Sequence, residues 1–311
     1  MLAGYEVVEI GEKHVKLDRK APAPFNSDTI SLEAGVISTG SKYSIPMRPM
    51  SSKLKEAQEG LQKMQKEVAK AEHILIVGGG PVGLEFAGEV KHIHPTKNVT
   101  LVEMQERLLP PYRAPLGKSL EKQLKELGVD VRMNTGLDLK KEHFDSAQKL
   151  VDEKMKIKLS DDSVVETDFL FIASGGSPNT DCIPDDALDN GKPRRVDVDV
   201  KTLRLKHATL GKTWFALGDV NNLPVQKTHV NTVADAPVVA AQVTGLLNGK
   251  GSSKTHREPY DVMMIPIGPT KGASQIIYPV VEQWVTSLVK GKGLFISTWL
   301  KAYPGGLANA V

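Results

Sequence analysis

The stretch from His73 to Glu103, HILIVGGGPVGLEFAGEVKHIHPTKNVTLVE, constrains this chain more than any other. The unbroken apolar run His73 to Val77 predicts a parallel strand buried on both faces. Gly78, Gly80 and Gly83 follow as G-x-G-x-x-G, with Pro81 at the first turn of a helix, where its missing N–H costs nothing. Val82, Phe86, Ala87 and Val90 recur at helical spacing, and a second strand, Val99 to Val102, ends on Glu103, twenty residues beyond Gly83. Each part suits a dinucleotide. The first glycine turns the chain tightly, the second admits the pyrophosphate to the backbone, and the third lets helix pack on strand. The helix N-terminus faces the phosphates and the acid takes the ribose hydroxyls. Glycine-rich turns are common, but strand, glycines, helix, strand and acid in this order identify a dinucleotide site.

The rest of the chain narrows its class. Its 311 residues suffice for about two domains, and 40% hydrophobic with 25% charged residues is ordinary for a globular protein. A net charge of +3 gives no case for nucleic acid. The lysines between Lys53 and Lys70 alternate with Glu and Gln, as on a solvated helix face. Cys182 is the single cysteine, which fits a reducing compartment. The first residues lack a basic start and an apolar core, and Leu2 occupies the position where myristoylation needs glycine. The longest apolar candidate, Pro237 to Leu247, is interrupted by Gln242, Thr244 and Gly245. A cytoplasmic chain without a membrane span is expected, with at most peripheral contact to a membrane or a mitochondrion.

In chain order, Tyr5 to Ile10 and His14 to Leu17 alternate as a hairpin about Gly11-Glu12, and Ile30 to Ile37 leads into Ser38-Thr39-Gly40-Ser41. Ser51 or Ser52 is expected to cap a helix to about Ala71, with Leu54, Leu61, Met64 and Val68 on one face. Leu116, Leu120, Leu124 and Leu127 mark a helix ended by Gly128, with the strand Val129 to Met133 after it. Lys154 to Leu159 and Val164 to Glu166 read as a hairpin, and Asp168 to Ala173 as a separate buried strand. Trp214 to Leu217 is another strand, followed by a helix from about Thr228 to Leu247 and a polar linker, Asn248 to Thr255. Met263 to Ile267 resumes as a strand. Two amphipathic pieces, Val281 to Lys290 and Leu294 to Tyr303, end the chain.

Three of these strands close on short glycine turns: Ser38-Thr39-Gly40, Ala173-Ser174-Gly175 and Ala216-Leu217-Gly218-Asp219. Their order around the G-x-G-x-x-G unit resembles that of flavoprotein reductases with two dinucleotide-binding domains, an NAD(P)H domain inserted into an FAD domain. The tail, Met263-Met264-Ile265-Pro266-Ile267-Gly268, Gly272, Gln275 and Lys290-Gly291-Lys292-Gly293-Leu294-Phe295, is similar to that of the apoptosis-inducing-factor-like flavoproteins, ferroptosis suppressors included. This resemblance implies an α/β, three-layer ββα fold and NAD(P)H:quinone reductase activity with FAD. It implies that Thr39, Gly40, Gly175, Gly218 and Asp219 contact FAD and that Glu85 assists NAD(P)H. Lys290 and Phe295 would lie near the flavin and a quinone or other small electron acceptor. The resemblance divides the chain into part of an FAD domain (1–70), an inserted NAD(P)H domain (71–166), the rest of the FAD domain (167–250) and a flavin- and quinone-site segment (251–311). Members of the family begin with a further βαβ unit carrying its own G-x-G-x-x-G. That unit is missing here, so truncation and weakened FAD binding are expected.

A lone cysteine excludes a dithiol relay within the chain. Glu103 favours NADH because a carboxylate repels a 2′-phosphate, while Arg107, four residues on, would soften that preference. Two readings of another class compete. The first is a non-catalytic NAD(P)H-binding remnant that holds no flavin. The second, a Tyr-x-x-x-Lys dehydrogenase, fails because no tyrosine has a lysine four residues on.

Overall fold

The structure is a computed structural model that describes residues 2–43, 53–138, 150–258, 262–277, 280–281, 283–291 and 293. The chain forms two compact units, Met1–Tyr43 with Gly176–Pro259, and Ser44–Gly175 with Tyr260–Val311.

In the first unit, β1 (Val7–Gly11), β2 (His14–Leu17) and β3 (Thr29–Ser31) form an antiparallel sheet in that order. The run expected from Ile30 to Ile37 is broken. Its end is a separate strand, β4 (Gly35–Ile37), which pairs in parallel with β12 (Trp214–Ala216), while β5 (Ser41–Lys42) pairs with β11 (Ser177–Pro178). The break comes where Trp214 packs: a Cβ on Gly35 would lie 2.3 Å from its ring, and its indole donates to Gly11 O at 2.7 Å. Ile37, Val196, Val198, Leu205, Phe215 and Val220 form this unit's core with α4 (His229–Leu247), which Thr228 caps by accepting from Asn231 N.

By length and composition α4 is apolar enough to cross a bilayer, with mean hydropathy 1.2, which the sequence reading did not anticipate. Its buried side nevertheless carries Asp235 and Gln242. Asp235 accepts from His256 Nδ1 at 2.6 Å, and Gln242 donates to Lys254 O at 2.8 Å. Those bonds hold the following linker along one side of the helix, while only 22% of its apolar stretch is buried.

The second unit is built on a five-stranded sheet of β6 (His73–Val77), β7 (Asn98–Val102), β8 (Val129–Arg132), β9 (Leu150–Lys158) and β10 (Val164–Ile172), ordered β8-β7-β6-β10-β9. All pairs are parallel except β10–β9. The short hairpin arm and buried strand expected on either side of residue 167 are one strand, so the domain boundary read between 166 and 167 falls inside β10. Thr167 sits at the irregularity, its hydroxyl bonded to His73 O and Phe169 O, which lets one strand pair antiparallel at one end and parallel at the other. Asp168 accepts from Glu72 N and His73 N, fixing where β6 starts.

Helices α2 (Pro81–Ile93) and α3 (Ala114–Glu126) bury Leu84, Phe86, Leu116, Leu120 and Leu124. Each such side chain contributes about 1.5–3 kcal/mol. Phe86 stacks on Phe171 of β10 with ring centroids 3.7 Å apart. Helix α1 (Leu54–Lys70) buries Val68 in its last turn, next to buried Ala71 just past its end, with Ala57, Gly60 and Met64 partly buried; Leu54 and Leu61 are exposed. Its N-cap is Lys53, without a side-chain cap, and Ser51 and Ser52 lie outside the described residues.

The C-terminal segment adds β13 (Val262–Ile267), β14 (Lys271–Ile276) and β15 (Val280–Val281), then α5 (Gln283–Thr286) and a π-helical turn, Ser287–Gly291. β14 was not expected, since KGASQI neither alternates nor is apolar. It pairs antiparallel with β13 along its whole length and with β15 beyond, and Gln123 of α3, 1% exposed, pairs its side-chain amide with both backbone groups of Gly272, at 2.7 and 3.0 Å.

Candidate cofactor and substrate sites

At the glycine turn, Gly78 has φ +111°, which favours glycine, and a Cβ there would meet Ala173 O at 2.7 Å. A Cβ on Gly83 would stand 2.1 Å from Gly78 O, so this glycine sets the approach of α2 to the turn. Gly80 has no atom of the described residues within 4 Å of where a Cβ would project. The turn is therefore closed against its own unit and open at its centre, which is the shape that backbone contact with a pyrophosphate requires. Glu103 Oε2 accepts from Gly79 N at 2.7 Å and Oε1 from Gln105 N at 2.9 Å, so the carboxylate is oriented beside the turn with lone pairs remaining. Arg107 is engaged within its own loop. Its guanidinium donates to Leu109 O, Pro110 O and Tyr112 O, closing that loop.

Two residues singled out separately in the sequence meet in this unit. Lys290, on the π-helical turn, donates to Glu85 Oε1 at 2.7 Å and to Met264 O at 3.1 Å. Burial raises the pKa of Glu85, and the ammonium of Lys290 opposes that rise. Close packing makes the meeting possible: a Cβ on Gly88 would lie 2.6 Å from Ile267 Cα, and Ser287 Oγ donates to Pro269 O at 2.7 Å. Gly175 also belongs to this unit, with φ +93° and open space around it. Phe295 lies outside the described residues.

The first unit gathers Thr39, Gly40, Gly218 and Asp219. Thr39 Oγ1 donates to Asn179 O at 2.6 Å and Asn179 Nδ2 to Thr39 O at 2.8 Å, which ties the turn shut. Gly40 has φ +69° with no atom near its missing Cβ. Asn179 Oδ1 is buried there with no hydrogen-bond partner among the described residues. Gly218 has φ +81°, and buried Asp219 accepts from Ser41 Oγ at 3.1 Å through Oδ2, and through its carbonyl from Arg195. Just beyond, Lys227 Nζ donates to Asn221 Oδ1 and Leu223 O. Burial, and then the charge of Arg195, lower its pKa to about 8. Lys227, Arg195 and Asn179 were missed in the sequence; none belongs to a motif, and only the fold shows that they surround these turns. An orphaned acceptor, open glycines and a buried acid fit a polar cofactor with hydroxyl donors, as the glycine turn of the other unit fits a dinucleotide.

The family model described as pyridine nucleotide-disulphide oxidoreductase matches residues 1–240. Relatives include the FAD-dependent oxidoreductase FVFD30 of Flammulina velutipes, 27% identical over 277 residues, covering 87% of this chain and 82% of that protein. Ferroptosis suppressor protein 1 of Xenopus tropicalis is 26% identical, with 84% and 69% covered. Apoptosis-inducing factor 1 of Saccharomyces cerevisiae is 24% identical, with 94% and 79% covered. Among solved structures, a NAD-dependent persulfide reductase from A. fulgidus superposes with TM-score 0.62 at 19% identity, over 87% of this chain and 48% of that one. The putidaredoxin reductase–putidaredoxin complex gives TM-score 0.60 at 18% identity, over 88% and 63%. The chain thus spans between about half and two thirds of the solved chains whose fold it shares.

Proposed function

The chain is a member of the pyridine nucleotide-disulphide oxidoreductase family, and from that premise we propose that it passes reducing equivalents from NADH, by way of FAD, to a quinone-type acceptor. FAD and NAD(P)H are the cofactors this family implies; when bound, FAD supplies the hydride-accepting and electron-releasing chemistry. The chain's residues bind and orient. Gly78, Gly80 and Gly83 admit the NADH pyrophosphate to the start of α2, and Glu103 takes the ribose hydroxyls while repelling a 2′-phosphate. Thr39, Gly40, Gly218 and Asp219 hold FAD from the first unit.

The observation that carries the choice of acceptor is the Lys290–Glu85 pair. It sets the cation of the tail two residues past Gly83 on the nucleotide helix, where a substrate oxygen that gains charge on reduction would be met by an ammonium. Cys182 supports the same reading: the chain has no second cysteine for a dithiol relay, and burial pushes this thiol's pKa up, away from reactivity. The test is a purified protein assayed for bound flavin, for bleaching by NADH without oxygen, and for reoxidation by a soluble benzoquinone. Flavin that bleaches but is not reoxidised by the quinone would refute the acceptor. Protein that stays colourless after incubation with FAD would refute the whole reading.

A further inference from the structure

Lys227 stands on the loop between the Gly218–Asp219 turn and α4, half-buried, and its two hydrogen bonds go to neutral acceptors: Asn221 Oδ1 at 3.0 Å and Leu223 O at 2.9 Å. Among the described residues no carboxylate closes an ion pair with it. That is anomalous, because burial penalises charge and buried charges are ordinarily paired. The charged groups facing it are Arg195 and Asp189 from the preceding loop, Asp219 from the turn and Asp235 from α4. Asp235 is already bonded to His256, and Arg195 brings a second cation to the Asp219 carbonyl. Gly218, Asn221, Lys227, Thr228 and Thr232 share the wall of a cavity of about 10 Å³. The three carboxylates face the ammonium without bonding to it, and the cavity holds only about one water molecule, so an anion in direct contact with Lys227 would belong to a ligand lying on the turn.

We propose that Lys227 is the counter-cation for an anionic part of FAD bound at the Gly218–Asp219 turn. This rests on the FAD reading above. Two parts of the cofactor share the required chemistry: the pyrophosphate, and the flavin ring, which gains negative charge on reduction. The lowered pKa of the free amine gives a measurable consequence, since an anion beside it raises that value again and binding then takes up a proton.

The test titrates FAD into flavin-free full-length protein between pH 7 and pH 10 for wild type, Lys227→Met and Lys227→Arg, with the midpoint potential measured on the loaded proteins. If the pyrophosphate is the anion, the wild-type Kd is flat below about pH 8 and rises by up to about tenfold per pH unit above it. Lys227→Met then binds more weakly and without that slope, while Lys227→Arg, charged throughout, keeps the affinity and loses the slope. If the flavin ring is the anion, Lys227→Met binds oxidised FAD like wild type but has a more negative midpoint potential. Wild-type slope and potential in Lys227→Met would overturn the proposal; should that variant not fold, a wild-type slope in Lys227→Arg would do the same. A wild-type protein that binds no FAD overturns the underlying reading first, before any variant is compared.

Discussion

Gly80 and Gly83 are both glycines of one motif, yet the structure gives them opposite responses to a single methyl group. In Gly83→Ala the new Cβ would stand 2.1 Å from Gly78 O, where an ordinary contact needs 3.4 Å or more, and 3.3 Å from Ala173 Cβ. Neither neighbour is the free end of a side chain, so the start of α2 must retreat by about 1 Å, at a cost of about 1–3 kcal/mol as in other overpacked sites. At roughly 2–4 °C per kcal/mol for domains of this size, the melting temperature falls by about 2–12 °C. In Gly80→Ala the methyl meets nothing within 4 Å, and the backbone at φ −75°, ψ 177° suits any residue. Stability should stay within about 1 kcal/mol of wild type, because alanine restricts the unfolded chain but serves less well than glycine at the N-cap of α2. The methyl instead fills the space through which a pyrophosphate reaches the backbone, and the Kd for NADH should rise by about tenfold or more. Thermal unfolding without ligand, followed by NADH titration monitored by fluorescence, separates the two effects. Gly80→Ala with wild-type NADH affinity, or Gly83→Ala with a wild-type melting temperature, would refute the reasoning.

Three further outcomes are expected. Because burial raises the folded-state pKa of Glu85, its contribution to stability is present below the ordinary carboxylate range and is lost as pH rises through the raised value. The melting temperature of Glu85→Gln relative to wild type should therefore climb with pH across that window, and Lys290→Met, which removes the opposing ammonium, should move the window upward; a pH-independent difference would count against both. Gln123→Leu strands the N–H and C=O of Gly272 and should cost about 2–4 kcal/mol, read as a lower melting temperature with faster amide exchange at Gly272. Glu103→Ala removes the repulsion of a 2′-phosphate, so the NADPH to NADH ratio of kcat/KM should rise by about tenfold, whereas Arg107→Ala, which loosens only its own loop, should leave the ratio unchanged.

The nucleotide unit was legible because its signals are local. An apolar run, three glycines and an acid at fixed spacing specify β6, the turn, α2 and Glu103 with no knowledge of distant residues. Where the sequence reading failed, a partner remote in sequence decides. β14 is a strand of small and polar residues that no alternation marks; it is placed by its ladders with β13 and β15 and by a glutamine on α3. The single strand β10 was read as two because Thr167 interrupts the pattern, and what joins them is a bond to His73, 94 residues away. Arg107 follows Glu103 at the spacing that suggested a phosphate ligand, but proline-rich loop carbonyls lie nearer to it.

The position of Lys290 follows from the same long-range bonds. A lysine on a short π-helical turn has little local structure to hold it. The segment that carries it, however, is fastened to both helices of the nucleotide unit. Gly88 of α2 lies against Ile267, Gln123 of α3 grips Gly272, and Gln275 accepts from Arg113 N at the start of α3. Each of these contacts buries backbone polar groups or small residues that tolerate no slippage, so the turn after β15 has a defined place relative to α2. The ion pair with Glu85 is then a consequence of that fastening more than its cause, since its side chains are only 24% and 28% exposed and desolvation offsets much of their attraction. The glycine fingerprint and the C-terminal cation thus belong to one rigid construction, and Gln123, in no motif at all, is as much a determinant of where Lys290 stands as Glu85 is.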